Sequence, residues 1–563
     1  MMPRLAVMGM AALSAAIPLS TAKAENPKLV LQITVDQLRG DLIDRNLVRF
    51  GDKGFRYLLE NGIYFTNAHH RHANTETIVG HTTLATGTDP AVHGMVGNLW
   101  FDRKSGKPFY NVQDPDYPLL AAIGVDKANE IDPTQRAATS DGRSPASILS
   151  STLSDEITIA NAGKSKVFGV SIKDRGAISM AGHAGTAYWF SKAEGRFVTS
   201  SYYMDSYPDW VNAWNDESHV SAYAQTDWQL TDDIKSYRFG EMDDVEWETD
   251  FPGYGRTFPH PFGAADSKYF TTILTLSPAG DELTTGFAKR LIDNEDIGKD
   301  DIPDYLSVSF SSTDYVGHIF GPSSLESEDN LRRLDKSIAD LLKHIDEQVG
   351  LDNTLVVLSA DHGAAEVPGY LQSLGIPASY FSFDDINKQP AAHALIAEFG
   401  VAQELIDSFS QPYVYLNEKL LEDKGLKKAV VARTIARELQ KFPGIAYAIS
   451  SEDLARSGIA KTPVSDAVLA NFHPERSGDI YVVFEPHWFV GDFDGLHVAS
   501  SHGSPWAYDT HVPMIFSRPG MKERRISRRV ETVDLAPTVA AYLKIKAPSG
   551  TRGIVLSDVL NTP

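Results

Sequence analysis

The sequence predicts an α/β protein with a mostly parallel central sheet flanked by helices, and three observations support this fold class. Apolar runs rich in β-branched residues recur along the chain, which is typical of buried parallel strands. Several runs end in polar side chains, which predicts a ligand site at the carboxyl edge of an open sheet. Helical segments intervene; "SEDNLRRLDKSIADLLKHIDEQVG" has apolar spacings of three and four and should end at Gly350.

The candidate site residues lie at the carboxyl ends of the predicted strands. Four endings hold candidate site residues: "LVLQITVDQ" ends at Asp36, "SKVFGVSIKDRG" at Lys173 and Arg175, "DYLSVSFSSTD" at Asp314, and "NTLVVLSADHG" at Asp361 and His362. A later strand, "DTHVPMIFSRPG", followed by the helix "TVDLAPTVAAYLKI", is expected to complete the sheet from the carboxyl terminus. The sheet would then be discontinuous in sequence.

A chain of 563 residues exceeds what one hydrophobic core usually serves. It predicts one large domain with insertions, or two closely packed domains. Three regions depart from the strand–helix alternation and are predicted to be insertions that cover the strand ends: 98–165, rich in Pro, Gly and Asp; 185–270, aromatic and acidic; and 370–475, partly helical.

Residues 1–24 have the pattern of a secretory signal peptide. "MMPR" supplies a basic start, "LAVMGMAALSAAIPL" an apolar stretch and "STAKA" a small-residue cleavage site that ends at Ala24. A buried amino-terminal helix is the alternative. We expect an exported protein, periplasmic or extracellular, whose mature chain starts at Glu25.

Composition excludes several classes of function. The chain has no cysteine, so disulfides and thiolate ligands are excluded, and any metal must bind through His and carboxylates. The formal charge of -22 repels polyanions, which argues against a partner that is a nucleic acid or an anionic membrane. No apolar run beyond the amino terminus is long enough to cross a bilayer, which argues against an integral membrane protein.

Six His and Asp side chains form two candidate metal sites. Asp314 and His318 are four residues apart, on one side of a helical turn, although such pairs are also common on solvated surfaces. The complete sets are Asp314, His318 and His502, and Asp36, Asp361 and His362. Three such ligands suit a zinc-like ion that keeps an open position. Two ions about 4 Å apart can stabilise both the attacking and the leaving oxygen in a displacement at phosphorus.

Six motifs in a fixed order resemble the alkaline phosphatase superfamily of binuclear metallohydrolases, and within it the PafA/PhoK-type alkaline phosphatases. They are "TIVGHTTLATG", "HGMVGN", "IKDRG", "TDYVGH", "ADHG" and "HGSPWAYDTHVPMIF". The resemblance spans Asp36 to His502. It implies an alkaline phosphatase-like catalytic domain over residues 25–563, two Zn²⁺ ions, and hydrolysis of small phosphate monoesters.

The resemblance assigns the nucleophile to Thr77, four residues before His81 in the pattern T-x-x-G-H, and leaves Thr75 without a counterpart. A hydroxyl at a helix amino terminus between two cations can be held as an alkoxide, so Thr77 would also be a metal ligand. A phosphothreonine would form and then be hydrolysed. The alternative is that Thr77 only caps a helix. By the same resemblance, His81 and His93 have counterparts and are expected to hydrogen-bond in the core.

The resemblance also assigns a phosphate-binding group. Asn98 would donate to a phosphate oxygen, although Gly-Asn pairs are also common in turns. Lys173 and Arg175 would share a face if their strand continued that far, and in the family this pair marks phosphomonoesterases. Two divalent ions balance the three aspartates and a Thr77 alkoxide, so Lys173 and Arg175 add the two charges that match a monoester dianion. The alternative is a surface pair flanking Asp174.

Three other functions stay open from the sequence. They are a phosphodiesterase or nucleotide pyrophosphatase of the same superfamily, a binding or scaffold protein with an inactive site, and a phosphate-transferring mutase. His69, His70 and His72 in "AHHRHAN" resemble a metal tract, but we predict that they are surface residues or support the site from outside the ligand sets.

Overall fold

The computed structural model describes residues 26–121, 132, 142–382, 390–456, 458–493 and 496–560. The predicted signal peptide lies outside the described residues. Among those that are described, no helix combines the length and apolarity needed to cross a membrane.

The secondary structure alternates strands and helices through most of the chain. The strands are β1 Leu29–Val35, β2 Gly62–His69, β3 Leu99–Asp102, β4 Lys107–Tyr110, β5 Val167–Ser171, β6 Thr186–Ser191, β7 Arg196–Val198, β8 Asp227–Trp228, β9 His260–Pro261, β10 Asp304–Phe310, β11 Thr354–Ser359, β12 Ser379–Phe381, β13 Ile406–Ser410, β14 Tyr413–Leu416, β15 Ile445–Ser450, β16 Ile480–Phe484, β17 Trp488–Val490, β18 Asp492–Phe493, β19 Leu496–His497, β20 His511–Ser517, β21 Arg524–Ile526 and β22 Val530–Glu531. The helices are α1 Leu42–Asn46, α2 Phe55–Glu60, α3 Thr77–Thr86, α4 Pro90–His93, α5 Leu153–Ala160, α6 Asp174–Ala181, α7 Asp209–Asp216, α8 Phe270–Thr275, α9 Ala279–Asn294, α10 Ser312–Phe320, α11 Leu325–Gln348, α12 Pro368–Ser373, α13 Pro390–Phe399, α14 Glu418–Asp423, α15 Lys428–Leu439, α16 Ser451–Ala455, α17 Pro463–Asn471, α18 Ala507–Thr510, α19 Leu535–Leu543 and α20 Ser557–Leu560.

The central sheet has ten strands, in the order β21-β2-β20-β11-β1-β10-β5-β6-β7, with β22 also paired to β2. Its middle, from β11 to β6, is parallel. β20 runs antiparallel between β11 and β2, so the carboxyl-terminal segment completes the sheet as predicted. The predicted class, an α/β fold with a mostly parallel sheet, is confirmed.

The strands with candidate site residues are neighbours, and their ends are level. Ser359 of β11 and Ser309 of β10 both pair with Thr34 of β1, and Ser309 also pairs with Ser171 of β5. Asp361, Asp36 and Lys173 each follow their level residue by two positions, and Asp314 lies in the first turn of α10 just beyond β10. The chain therefore presents these side chains side by side at one edge of the sheet.

Helices cover both faces of the sheet, and β1 is therefore buried on both sides. Its odd-numbered residues, such as Leu31 and Ile33, pack in a cluster with α9 and α11, whereas Val30 packs in a cluster with α5 and α19. This alternation is what a strand requires when each face meets a separate helical layer. α11 ends at Gln348, and Gly350 beyond it has a φ of 89°, which explains the predicted end of this helix.

The three predicted insertion ranges contain more than covering segments. β6 and β7 lie within residues 185–270 but belong to the central sheet. Their aromatic content comes from packing: the ring of Phe197 stacks 4.2 Å from that of Phe287 in α9. Residues 370–475 hold β13, β14 and β15 of a second, antiparallel four-stranded sheet. Its fourth strand, β16, lies beyond residue 475, since strand pairing joins segments that are distant in sequence.

Helix α3 passes so close to the end of β11 that a side chain at Gly80 has no space. A Cβ at Gly80 would lie 1.9 Å from the backbone oxygen of Asp361. We expect Gly80→Ala to lower the free energy of unfolding by about 2 kcal/mol or more, because α3 must move off the sheet. Without that contact, alanine in a helix would raise stability by about 1 kcal/mol relative to glycine.

Chemical denaturation of the metal-free protein measures this effect. Gly458→Ala is the matched control, since a Cβ there meets nothing nearer than 3.6 Å. Equal stability of the Gly80 and Gly458 variants would contradict the close packing of α3 on β11.

Candidate active site

All the predicted site residues are buried, and the strand ends bring them into one region. They are Asp36, Thr77, Asn98, Lys173, Arg175, Asp314, His318, Asp361, His362 and His502. Burial of so many ionisable groups is costly unless they are paired or bind a cation, so their mutual geometry decides what the region can do.

The first predicted ligand set forms a compact group. Asp314 Oδ1 lies 3.3 Å from His318 Nε2 and 3.4 Å from His502 Nε2, and the two Nε2 atoms are 3.2 Å apart. Each ring is fixed from behind: His318 Nδ1 lies 2.8 Å from Ser500 O, and His502 Nδ1 lies 2.8 Å from Thr75 O. Because a carbonyl oxygen only accepts, both Nδ1 atoms donate, so each Nε2 carries a lone pair, which is what a metal ligand requires.

The second set lies beside the first. His362 Nε2 is 3.4 Å from Asp36 Oδ1 and 3.3 Å from Asp361 Oδ2, while its Nδ1 lies 3.0 Å from Gly363 O. The His362 ring stacks on that of His502 at 3.6 Å. Ligand atoms of Asp314, His362 and His502 also lie within 4.8 Å of one another, so the two sets form one continuous cluster.

The donor atoms of the second set fit a divalent cation. Asp36 Oδ1 and His362 Nε2 are buried and have no hydrogen-bond partner among the described residues, and Asp361 Oδ2 beside them contacts ring nitrogens, those of His81 and His362. Buried polar atoms are normally satisfied, and a cation would satisfy all three at once. Carboxylate and imidazole donors suit zinc and also accept manganese or iron.

Thr77 is the first residue of α3, and Glu76 occupies the N-cap position. The Thr77 hydroxyl accepts a hydrogen bond from Arg175 Nη2 at 3.4 Å. His81 connects this turn with the second predicted ligand set, because its Nδ1 lies 3.0 Å from both Thr77 O and Asp361 Oδ2. The helix amino terminus also places partial positive charge near the hydroxyl.

The hydroxyl of Thr75 is already used in holding the loop that carries His502. It donates to Ser504 O at 3.0 Å and accepts from the Gly503 N–H at 3.2 Å. Thr75 O also accepts from the His502 ring. These contacts give Thr75 a structural role, which separates it from Thr77.

Lys173 and Arg175 both lie at the site because they belong to the start of helix α6, and not because they alternate along a strand. β5 ends at Ser171, Lys173 is the N-cap of α6, and Arg175 lies in its first turn. Lys173 Nζ contacts Asp314 Oδ2 and lies 2.7 Å from Asp36 Oδ2. The condition under which the sequence predicted a shared face, a longer strand, is therefore not met.

The intervening Asp174 holds this turn in place, and Lys173 and Arg175 on either side of it are buried, so they are not a surface pair. Tyr110 Oη donates to its Oδ1 at 2.5 Å, and Arg143 Nε donates to its Oδ2 at 2.6 Å. Both partners come from the 98–165 region. That region therefore supports the segment that carries Lys173 and Arg175.

The charges around Lys173 keep its side chain protonated. Burial lowers the pKa of Lys173, but Asp314 and Asp36 outweigh it, so the net pKa is raised. Burial raises the pKa of Asp314, yet Lys173 and His318 reverse this and hold it well below its usual value. The pKa of Asp36 is raised by burial and by the neighbouring charge of Asp361. The carboxylates thus compete for positive charge.

Asn98 lies against the start of α3. Its Oδ1 accepts from the Ile78 N–H at 3.2 Å, its own N–H donates to Glu76 Oε2 at 2.5 Å, and its carbonyl accepts from Asn111 Nδ2 at 2.7 Å. The oxygen end of the Asn98 amide is therefore occupied, and the nitrogen end is the one that can donate to a ligand.

The other histidines support the site from within the core. His69, His70 and His72 are all buried, so the first alternative, a surface location, is wrong for the three of them. His70 Nε2 lies 3.0 Å from Ala360 O, directly before Asp361. His93 contacts Thr83 and the Met95 N–H, in agreement with its expected role in the core.

Sequence reasoning missed two residues, Gln37 and Glu76. Gln37 hydrogen-bonds Asp314 and Asp361, and Glu76 accepts from Asn98 and Asn74. A carboxylate directly before a helix start was a usable signal for Glu76. No signal marked Gln37, since its partners lie far along the chain.

Known proteins similar to this chain include several phosphatases. Alkaline phosphatase PafA of Elizabethkingia meningoseptica is 35% identical over 545 residues, covering 96% of both chains. Alkaline phosphatase PhoV of Synechococcus elongatus is 32% identical and covers 95% of this chain and 93% of its own. A Myroides odoratus protein named calcium-transporting ATPase is also 35% identical, over 96% of both chains.

The fold comparison agrees. The crystal structure of wild-type alkaline phosphatase PafA matches with a TM-score of 0.86 at 34% identity, covering 95% of this chain and 99% of that chain. The model of the type I phosphodiesterase/nucleotide pyrophosphatase family matches residues 30–505. The resemblance seen in the sequence motifs is confirmed, and the chain belongs to the type I phosphodiesterase/nucleotide pyrophosphatase family of the alkaline phosphatase superfamily.

Proposed function

We propose that the protein is an exported, metal-dependent phosphomonoesterase of the alkaline phosphatase type, with Thr77 as nucleophile. The observation that supports this proposal most is that two buried basic side chains, Lys173 and Arg175, lie at the two ligand sets. Arg175 contacts the Thr77 hydroxyl, and Lys173 contacts the ligand carboxylates Asp36 and Asp314. Export is supported by the signal-peptide pattern of residues 1–24.

Two Zn²⁺ ions would be held by the two ligand sets. Asp314, His318 and His502 would bind one ion, and Asp36, Asp361 and His362 the other, with Thr77 Oγ1 as a further ligand. Bound zinc would lower the pKa of a hydroxyl and offset negative charge on phosphoryl oxygens. The donor atoms support zinc without excluding manganese or iron, so zinc rests mainly on the family resemblance.

The chain's own residues position and polarise the reacting groups. Thr77 Oγ attacks phosphorus in line with the departing alcohol oxygen, forming a phosphothreonine and releasing the alcohol. Water then attacks from the vacated side, which restores the Thr77 hydroxyl and releases inorganic phosphate. Arg175 and the amino terminus of α3 stabilise negative charge on Thr77 and on the phosphoryl oxygens. Two in-line steps retain the configuration at phosphorus.

Lys173, Arg175 and Asn98 favour a monoester over a diester. Two cations match the dianion of R-O-PO₃, and the planar guanidinium of Arg175 can bind two of its oxygens. The nitrogen end of the Asn98 amide can donate to a third oxygen. The family model favours a second candidate, a phosphodiesterase or nucleotide pyrophosphatase. A diester carries one negative charge less, so these cations would be poorly matched to it.

The nucleophile is tested by Thr77→Ala on an aryl phosphate with added zinc. We expect kcat to fall by at least ~10³-fold because no other hydroxyl takes its place. Thr77→Ser should retain measurable turnover. Thr75→Ala is the matched control; its loss of contacts with the His502 loop should weaken metal binding, and excess zinc should restore its activity. Unchanged activity of Thr77→Ala would sink the assignment.

Substrate class is tested by Arg175→Ala on an aryl phosphate and on a bis-aryl phosphate. The loss of one charged donor should lower kcat/KM for the monoester by about 10²–10³-fold, with a much smaller effect on the diester. Arg332→Ala is the control, because Arg332 is a buried arginine paired with Glu328 away from the site. A wild-type protein that prefers the diester would favour the second candidate.

Metal dependence is tested by the zinc content of the purified protein. We expect two zinc ions per chain in the wild type and loss of one in His318→Ala, because one ligand set is incomplete. Activity should vanish after chelation and return with zinc. His93→Gln, a buried histidine outside both sets, should still bind two ions. Full activity of the chelated, metal-free protein would contradict the proposal.

A further inference from the structure

The geometry points to Gln37 as a positioning residue that holds the two metal sites in register with each other. The inference rests on the two-cation site of the proposed function. Gln37 directly follows Asp36, a ligand of one site, and its donors reach Asp361 of the same site and Asp314 of the other.

Gln37 uses both of its donor groups on ligand carboxylates. Its side-chain Nε2 donates to Asp314 Oδ1 at 2.7 Å, and its backbone N–H donates to Asp361 Oδ1 at 3.1 Å. The three aspartates follow three adjacent strands, β1, β10 and β11. One residue is thus covalently joined to one ligand and hydrogen-bonded to two others.

Two unusual backbone choices make this contact possible. Gln37 has a φ of 66°, in the left-handed region where a residue with a side chain is uncommon. Gly317 lies in the middle of α10, where a Cβ would be 1.8 Å from Gln37 Oε1. Glycine at position 37 would remove the strain, and alanine at 317 would favour the helix. Both choices instead accommodate the glutamine side chain, and such departures cluster at functional sites.

The chemistry of the donors suits a positioning role. An amide orients a carboxylate without adding a positive charge that would repel a metal ion. Asp361 Oδ1 accepts from the N–H groups of Gln37 and His362, at 3.1 and 3.0 Å, which leaves Oδ2 directed toward His362 Nε2. Asp314 Oδ1 faces both ligand histidines while Gln37 fixes its rotation. Without Gln37, the rotation of Asp314 is fixed by the ion pair of its Oδ2 with Lys173, which acts on the oxygen that faces away from the histidines.

The inference is tested by measuring the zinc dissociation constants of Gln37→Gly and Gln37→Met against a chromogenic chelator. Gln37→Gly keeps the backbone donor and suits the positive φ, and Gln37→Met keeps the side-chain volume. Each should weaken zinc binding by about 10–100-fold, as expected when a group that orients a ligand is lost. The melting temperature of metal-free Gln37→Gly should not fall, because the backbone strain is removed.

Gln32→Met is the matched control. Gln32 is a buried glutamine of β1, the strand that precedes Gln37, and it accepts a hydrogen bond from Tyr305 Oη at 3.0 Å. It lies away from the two ligand sets, so the zinc affinity of Gln32→Met should stay that of the wild type. Wild-type zinc affinity in both Gln37 variants would overturn the inference while leaving the proposed function intact. A wild-type protein that binds no zinc would instead overturn the two-cation site, and with it both proposals.

Discussion

The mutual repulsion of three buried carboxylates is the constraint on which the rest of the site depends. Asp36, Asp314 and Asp361 are fully buried at the ends of adjacent strands. An uncompensated buried charge costs several kcal/mol, so each carboxylate needs positive charge or several donors within reach. Lys173 supplies charge to Asp36 and Asp314, His81 lies beside Asp361, and Asp36 Oδ1 has no hydrogen-bond partner among the described residues, so a cation is still needed there. The same cluster that would destabilise a metal-free protein is what makes it a receptor for divalent ions.

The order of the strands brings the buried carboxylates close to positive charge. Placing β11, β1, β10 and β5 side by side brings carboxylates and Lys173 together without any long side chain having to reach across the sheet. The loops then add what the strands lack: α3 brings Thr77, and the segment before β20 brings His502. Asp174 accepts hydrogen bonds from Tyr110 and Arg143, so the surrounding regions also hold Lys173 and Arg175 in place.

Sequence reasoning reached the fold class and the candidate residues at the strand ends because both depend on local patterns, whereas Thr77 and Asn98 were assigned by the family resemblance. A β-branched run that ends in Asp or Lys identifies a strand and its functional end in a single segment. What it missed depends on contacts between distant segments. The place of β6 and β7 in the central sheet follows from pairing with β5, and the burial of His70 follows from its contact with Ala360. The contacts of Gln37 could not be predicted from the sequence, because its partners belong to α10 and to the segment after β11, which are distant in the chain.

The antiparallel β20 has a consequence for the order of folding. It lies between β2 and β11, so β2 cannot join the rest of the central sheet until residue 517 has been synthesised. His502, a member of the first predicted ligand set, also comes late in the chain. Closing loops of this length is entropically costly and slows folding. A nascent chain therefore carries Asp36 and Thr77 long before the segments that complete the two predicted ligand sets have been synthesised.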